Sequence, residues 1–271
     1  MGNMGLRFTI LSSGSTGNAT VVTDGEITLM IDAGFSARRI DELLLERGLT
    51  GENLTGILVT HEHSDHIKGL GAVARKYNLP IYANEKTWQA MEKSIGSIPE
   101  ENRCLLGTGE ARDFGSMRVE SFGISHDAAE PVGYTFSDGR EKLSVCTDLG
   151  YASDKVKQAI ADSDVLVLEA NHDIEMLRMG RYPWNIKRRI LGDMGHLSNE
   201  ASGEVLSDLL NGRMKRTYLA HLSKEHNMLD LAKMSVRSAM EDRGCFYKDS
   251  EFRLCDTYAD RPTPWDRVGE P

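Results

Sequence analysis

The alternation of apolar and polar positions divides the chain into short β-like runs and longer amphipathic stretches. "LRFTILSS", "ATVVT" and "ITLMIDAG" predict three strands separated by turn residues. "SARRIDELLLERGL" follows with Ile40, Leu43, Leu44 and Leu49 near helical spacing and Ser36 as its cap. "LTGILVT" is a compact apolar strand, after which "HEHSDHIKGLGAVARKY", "LPIYAN" and "EKTWQAMEKSI" read as loop and helix, strand, and helix. A β-rich second half begins at "MRVESFGISHD". It continues through "VGYTF" and "KLSVCTD", joined across "SDGRE", and through "DVLVLEAN" and "TYLAHL". Helices are predicted between these strands, near 153–162, 199–211 and 228–243.

Each predicted sheet has an apolar face that needs a covering layer. Two successive β-then-α halves therefore predict an α/β fold of two packed sheets with helices outside. No Pro/Gly/Ser-rich linker or repeat divides the 271 residues, so residues 1–260 read as one domain. The stretch 261–271, "RPTPWDRVGEP", lacks periodicity and reads as a loose tail. Met4 is an alternative start behind a short leader.

Composition narrows the function classes. A net charge of -9 disfavours a protein that coats nucleic acid or anionic membrane by its global charge. Cys104, Cys146, Cys245 and Cys255 form no CxxC pair, which argues against a thiolate zinc site or a disulfide framework and fits a reduced, cytoplasmic protein. Neither a signal-peptide core nor a run of about 18 apolar residues is present, so no membrane partner is expected.

The chemistry concentrates in "THEHSDH", which puts His61, His63, Asp65 and His66 directly after an apolar strand. Side chains two apart on an extended backbone share a face, so His61 and His63 can converge on one ion. Asp65 and His66, beyond the turn, face a second. Imidazoles with a carboxylate suit zinc, manganese or iron(II) rather than calcium. The competing reading is a histidine-rich surface loop. Three further candidates, His126 in "GISHD", Asp148 in "SVCTDLG" and His221 in "YLAHLS", each follow an apolar strand-like run. Taken singly, each is as readily a hydrogen-bonded loop residue.

This HxHxDH pattern, with single His, Asp and His residues at later strand ends, resembles the metallo-β-lactamase superfamily over nearly the whole chain. The resemblance implies a four-layer αβ/βα sandwich with a two-metal site at the sheet edge. It also implies His61, His63 and His126 on one metal, Asp65, His66 and His221 on the other, and Asp148 bridging them.

Two divalent cations acidify water at neutral pH and so point to hydrolysis, but not to a particular bond. Glu169 ends a buried-looking strand, where a carboxylate is costly unless paired, and His196 in "DMGHLSNE" is left over from the metal set. A carboxylate that orients an imidazole makes a general acid able to protonate a leaving alkoxide. Asp65, on this reading, helps hold and deprotonate the attacking water. The competing reading of His196 is a capping-region histidine beside Ser198.

The Glu and "GHLS" pattern resembles the phosphodiesterase branch of the superfamily. "SSGSTGN", "HEHSDHIKG", "TDLG", "LEANHD", "YPW" and "GHLSN" together are similar to the YycJ/WalJ family of bacterial exonucleases. That likeness implies a manganese- or zinc-dependent 5′-to-3′ DNA exonuclease with a role in mismatch repair. RNA processing and cyclic-phosphodiester hydrolysis are the alternatives, followed by lactam or thioester hydrolysis and by a non-catalytic metal-binding protein.

For the DNA itself, as a single strand or 5′ end, "RMGRYPWNIKRR" offers five basic residues and no acid around Tyr182 and Trp184. Arg181, Tyr182, Trp184 and Arg188 are the candidate contacts. The bland reading is a solvated helix with Trp184 in the core. Ser15 and Asn18 in "SSGSTGN" belong to either a hairpin turn or a phosphate-facing loop. Asn171 lines the site beside His172, itself as readily a solvent-facing loop residue.

Overall fold

The computed structural model describes residues 5–270; the alternative start at Met4 lies outside them. The chain forms two seven-stranded sheets, built largely from one half each. The first contains β1 (Arg7–Ser12), β2 (Ala19–Thr23), β3 (Thr28–Ile31), β4 (Gly56–Leu58), β5 (Ile81–Ala83) and β6 (Arg103–Leu105). The second contains β7 (Ala111–Phe114), β8 (Met117–Gly123), β9 (Val132–Ser137), β10 (Lys142–Cys146), β11 (Val165–Glu169), β12 (Arg216–Ala220) and β13 (Arg253–Asp256). Each half opens with antiparallel hairpins and then turns parallel, from β3 to β6 and from β10 to β13.

Alternation along the strands builds the layers. Leu29 and Ile31 of β3, Leu58 of β4, and Val165 and Val167 of β11 meet in one core between the sheets. Their neighbours Met30 and Ile57 face outward onto α1 (Ala37–Leu45), α3 (Leu70–Tyr77) and α4 (Glu85–Ile95). Leu166 and Leu168 face α5 (Asp154–Ile160), α8 (Asn199–Leu209) and α9 (Leu229–Asp242) on the other side. The short α2 (Ser64–Ile67) follows β4. The result is an αβ/βα sandwich, as the sequence predicts. The parallel strands read as unbroken apolar runs because both of their faces are buried. Ser36 caps α1 by accepting from the Arg39 N–H.

The expectation of a loose tail at 261–271 fails for the described residues 261–270. Residues 266 and 267 form β14 (Asp266–Arg267), which pairs antiparallel with β1. Thr263 exchanges hydrogen bonds with Thr9 and Ile10, and Val268 is fully buried. The Arg216 guanidinium of β12 donates to both Asp266 oxygens, at 2.6 and 2.8 Å. Tethers of this kind leave no periodic trace in sequence. Among the described residues no helix is long and apolar enough to cross a membrane.

Candidate metal and hydrolase site

In-register pairing sets the carboxyl ends of β10, β11 and β12 level, with Cys146 beside Leu168 and Leu168 beside Leu219. Asp148, Glu169 and His221 therefore come to one edge, the one at which β4 delivers His61 and β8 delivers His126. Ligands commonly bind at the carboxyl ends of strands in open α/β sheets. Five non-glycine residues among those described have positive φ, and three belong here: Asp32 at 60°, Asp148 at 61° and His221 at 55°. Such backbone is costly for a side-chain-bearing residue and persists where surrounding contacts over-determine it.

All seven sequence-predicted ligands converge. Donor atoms of His61, His63 and His126 lie within 4.8 Å of one another, as do those of Asp65, His66 and His221. Asp148 lies against both groups, sharing one such set with His61 and His66 and another with His221, Glu169 and His196. His126 Nε2 sits 3.3 Å from His63 Nδ1. His61 Nε2 and Asp148 Oδ2 are buried with no hydrogen-bond partner. Buried polar atoms are rarely left so, and imidazole and carboxylate donors clustered in this way fit a divalent cation.

The far side of four of the five imidazoles is held. His66 Nδ1 lies 2.7 Å from Asp32 Oδ2, and His221 Nδ1 lies 3.0 Å from Glu169 Oε1. His126 Nδ1 donates to the Gly195 carbonyl, and His61 Nδ1 lies 3.0 Å from the Thr60 hydroxyl. These partners fix ring orientation and leave the other nitrogen for a cation. Asp32 was not singled out in the sequence. Its signal is an aspartate ending an apolar strand in "LMIDAG", easily taken for a turn residue. It also accepts from the Thr60 N–H and hydroxyl, tying β3 to the metal-ligand loop.

Charge follows from these contacts. Burial, aided by His66, holds His61 far below its usual pKa and so neutral, the ligand form. His126 is lowered too, chiefly by burial. For His221 burial works against protonation, but Asp148, Asp65 and Glu169 outweigh it and raise the ring to about 10. His66 is raised likewise, by Asp148 and Asp32 against burial. The carboxylates Asp65 and Asp148 stay ionised despite burial because these imidazoles face them.

Glu169 serves two rings through one oxygen. Its Oε1 lies 2.8 Å from His196 Nδ1 as well as 3.0 Å from His221 Nδ1, while Oε2 accepts from the Leu149 and Leu197 N–H groups. Burial opposes its charge, yet His196 and His221 pull its pKa down to about 2. His196 stacks at 5.2 Å on His221 and keeps 16% of its side chain exposed. Ser198 caps α8 instead of engaging the imidazole. Gly195 is required beside it, because a Cβ there would lie 2.2 Å from the Ile190 carbonyl oxygen.

Comparisons with known proteins give the family. Residues 28–222 match the family model described as a Beta-lactamase superfamily domain. The chain is 51% identical over 260 residues to the exodeoxyribonuclease YycJ of Bacillus anthracis, covering 96% of this chain and 98% of that one. It belongs to the YycJ/WalJ family of the metallo-β-lactamase superfamily. A second member, the exodeoxyribonuclease WalJ of Streptococcus pneumoniae, is 43% identical over 97% of this chain and 98% of its own length. Among solved structures, the metallo-β-lactamase fold protein YhfI of Bacillus subtilis superposes with a TM-score of 0.71. It is 14% identical and covers 95% of this chain and 98% of its own, a likeness of fold.

The remaining sequence candidates fall in different places. Asn18 is buried below the ligand loop, its amide 3.4 Å from Asp65 Oδ2 and 3.1 Å from His66 Nε2, while Ser15 is exposed at the β1–β2 turn. Asn171 donates to the His221 carbonyl, and His172 is buried and not solvent-facing. Two helices precede His196: α6 (Ile174–Met179), which the strand pattern omits, and α7 (Trp184–Ile190), where the sequence offers a solvated helix as one of two readings. Trp184 is 65% exposed, so it is not a core residue. Tyr182 packs edge-on against buried His226. Arg181 and Arg188 are exposed, whereas Lys187 turns inward to the Arg178 carbonyl.

Proposed function

We propose that this protein is a metal-dependent phosphodiester hydrolase that degrades DNA from a 5′ end, in the cytoplasm, in the service of mismatch repair. The observation that carries the reading is the Glu169–His196 pair set against the histidine and aspartate cluster. The names of the two full-length relatives support a nuclease. His61, His63 and His126 would hold one divalent cation and Asp65, His66 and His221 a second, with Asp148 between them; zinc or manganese suits this donor set, as does iron(II). Bound there, the cations supply water acidified to near-neutral pKa and neutralise charge on the phosphoryl oxygens.

The chain's own residues account for the rest. Asp65, kept ionised, accepts a hydrogen bond from the attacking water and aligns it. Glu169 holds the proton of His196 on Nδ1 and stabilises the imidazolium, so that Nε2 delivers its proton to the leaving sugar oxygen. Partial exposure of His196 lets solvent recharge it. The exposed Trp184 ring and Arg181 and Arg188 lie on the segment just before His196, where a base face and phosphates of a single strand would dock.

The test is incubation of manganese- or zinc-loaded protein with end-labelled single- and double-stranded DNA, with RNA, and with a lactam. Stepwise DNA shortening from the 5′ end, abolished by chelation, is expected. Hydrolysis of the lactam alone overturns the reading.

A further inference from the structure

The segment that carries α7 is fastened to the cluster at several points. The Ser125 hydroxyl donates to the Asp193 carbonyl, the Asp127 N–H to the Met194 carbonyl, His126 Nδ1 to the Gly195 carbonyl, and the His196 N–H to the Ile190 carbonyl. One side-chain pair joins this set. Arg189, in the last turn of α7, grips Asp127 with two guanidinium nitrogens, Nε and Nη2, the latter at 3.0 Å from Oδ1. Asp127 Oδ1 in turn lies 3.6 Å from His126 Nε2, the nitrogen that faces the cluster.

We infer that Arg189 is a phosphate-binding residue of this site, contacting the backbone phosphate next to the one being cleaved. The inference rests on the nuclease reading above. A guanidinium has five N–H donors, and the grip on Asp127 uses two, leaving three. Half of the Arg189 side chain is open to solvent. The other basic residues of the segment differ: Arg178 pairs with Glu175 on its own helix, and Lys187 is turned inward, while exposed Arg181 and Arg188 have no ion pair to the cluster's neighbours among the described residues.

Position decides which phosphate is met. The Asp127 carboxylate stands between the guanidinium and His126, so Arg189 reaches a group displaced outward from whatever occupies the cluster. A second phosphate of the same strand has that placement and charge. Asp127 holds the fork in one orientation beforehand, so less side-chain freedom is lost when the strand arrives. Its own negative charge is already met by Arg189, which limits its repulsion of the incoming strand.

The experiment compares the wild-type protein with Arg189→Gln and Arg189→Lys, manganese-loaded, on a fluorescent single-stranded oligonucleotide and on bis(p-nitrophenyl) phosphate. The second substrate has one phosphorus and no neighbouring phosphate. Metal content is measured for each protein. For Arg189→Gln, kcat/KM on the oligonucleotide should fall at least ten-fold further than on the small diester, mainly through KM. The slope of log kcat/KM against log salt should shrink by about 0.7, the change expected for one lost single-strand phosphate contact. Arg189→Lys restores the slope and recovers only part of KM, because the charge returns without the fork. Equal losses on both substrates with an unchanged salt slope would show Arg189 to be only a brace for the Asp127 loop and overturn the inference. Failure of the wild-type protein to cut DNA would instead sink the nuclease reading on which it rests.

Discussion

Glu169 illustrates how much one buried carboxylate does in this chain: a single oxygen orients both a candidate ligand, His221, and the candidate acid, His196. Asp32 plays the matching part for His66 from the opposite sheet. Asp32→Asn, which keeps the shape and removes the charge, should weaken metal affinity by about 10- to 100-fold, the usual effect of losing an outer-sphere carboxylate. Competition with a metallochromic chelator measures this, and unchanged affinity would refute the assignment. The candidate ligands were legible in sequence because five of the seven are histidines, a scarce residue type, and the set is either packed into "HEHSDH" or placed just beyond an apolar strand. Asp32 was not, because an aspartate before a glycine is commonplace in turns. His172, buried beside the site, gives a pH prediction. Burial lowers its pKa from the ordinary 6.5 to about 4, so the folded state favours the neutral ring. Stability from this group is fully present above pH 6.5 and is lost as pH falls toward 4. The loss is up to about 3 kcal/mol. Urea denaturation across that range should show His172→Gln losing less stability on acidification than the wild type.

Helices α6 and α7 separate the strand carrying Glu169 from His196 and bring a basic, aromatic surface to the site. The sequence pattern marks their charges and rings but not their attachment, since Lys187, Tyr182 and Arg189 resemble their exposed neighbours in sequence while each is engaged differently. Edge strands were hidden for a related reason. In β7 three of the four residues, "ARD", are exposed, so no apolar alternation announces it. Trp184, at the first turn of α7, offers a flat face to solvent. Trp184→Ala should raise KM for single-stranded DNA by roughly 5- to 160-fold through lost base stacking, about 1–3 kcal/mol, with little effect on a small diester. Steady-state kinetics on the two substrates decide this, and equal effects on both would count against a stacking role.

Across the whole molecule, the two sheets are held together by the apolar core between them and by polar ties at both margins. At the site edge the His221 N–H donates to the Ser13 hydroxyl, and the Tyr134 hydroxyl donates to the Val59 carbonyl. At the other margin the C-terminal segment lays β14 on the first sheet while Asp266 neutralises Arg216 of the second, whose side chain is 2% exposed. Removing one partner of such a pair strands a buried charge. Asp266→Ala should therefore cost about 3–5 kcal/mol of stability, measured by chemical denaturation, and a loss below about 1 kcal/mol would mean that the segment is dispensable. The αβ/βα layering was legible from strand and helix order alone, because apolar runs buried on both faces and amphipathic helices admit few arrangements. The closing segment was not, since its contacts lie far apart in sequence.

The central claim is that His196 is the proton donor of a metal-dependent nuclease and not another metal ligand. It is tested most directly by single-turnover cleavage with His196→Ala, run beside a metal analysis of the same preparation. One DNA substrate carries the ordinary leaving oxygen and the other carries sulfur in its place, which departs without a proton. The account predicts wild-type metal content, a rate on the oxygen substrate lowered by roughly 10²- to 10⁴-fold, and a much smaller deficit on the sulfur substrate. Loss of metal, or an equal deficit on both substrates, would contradict it.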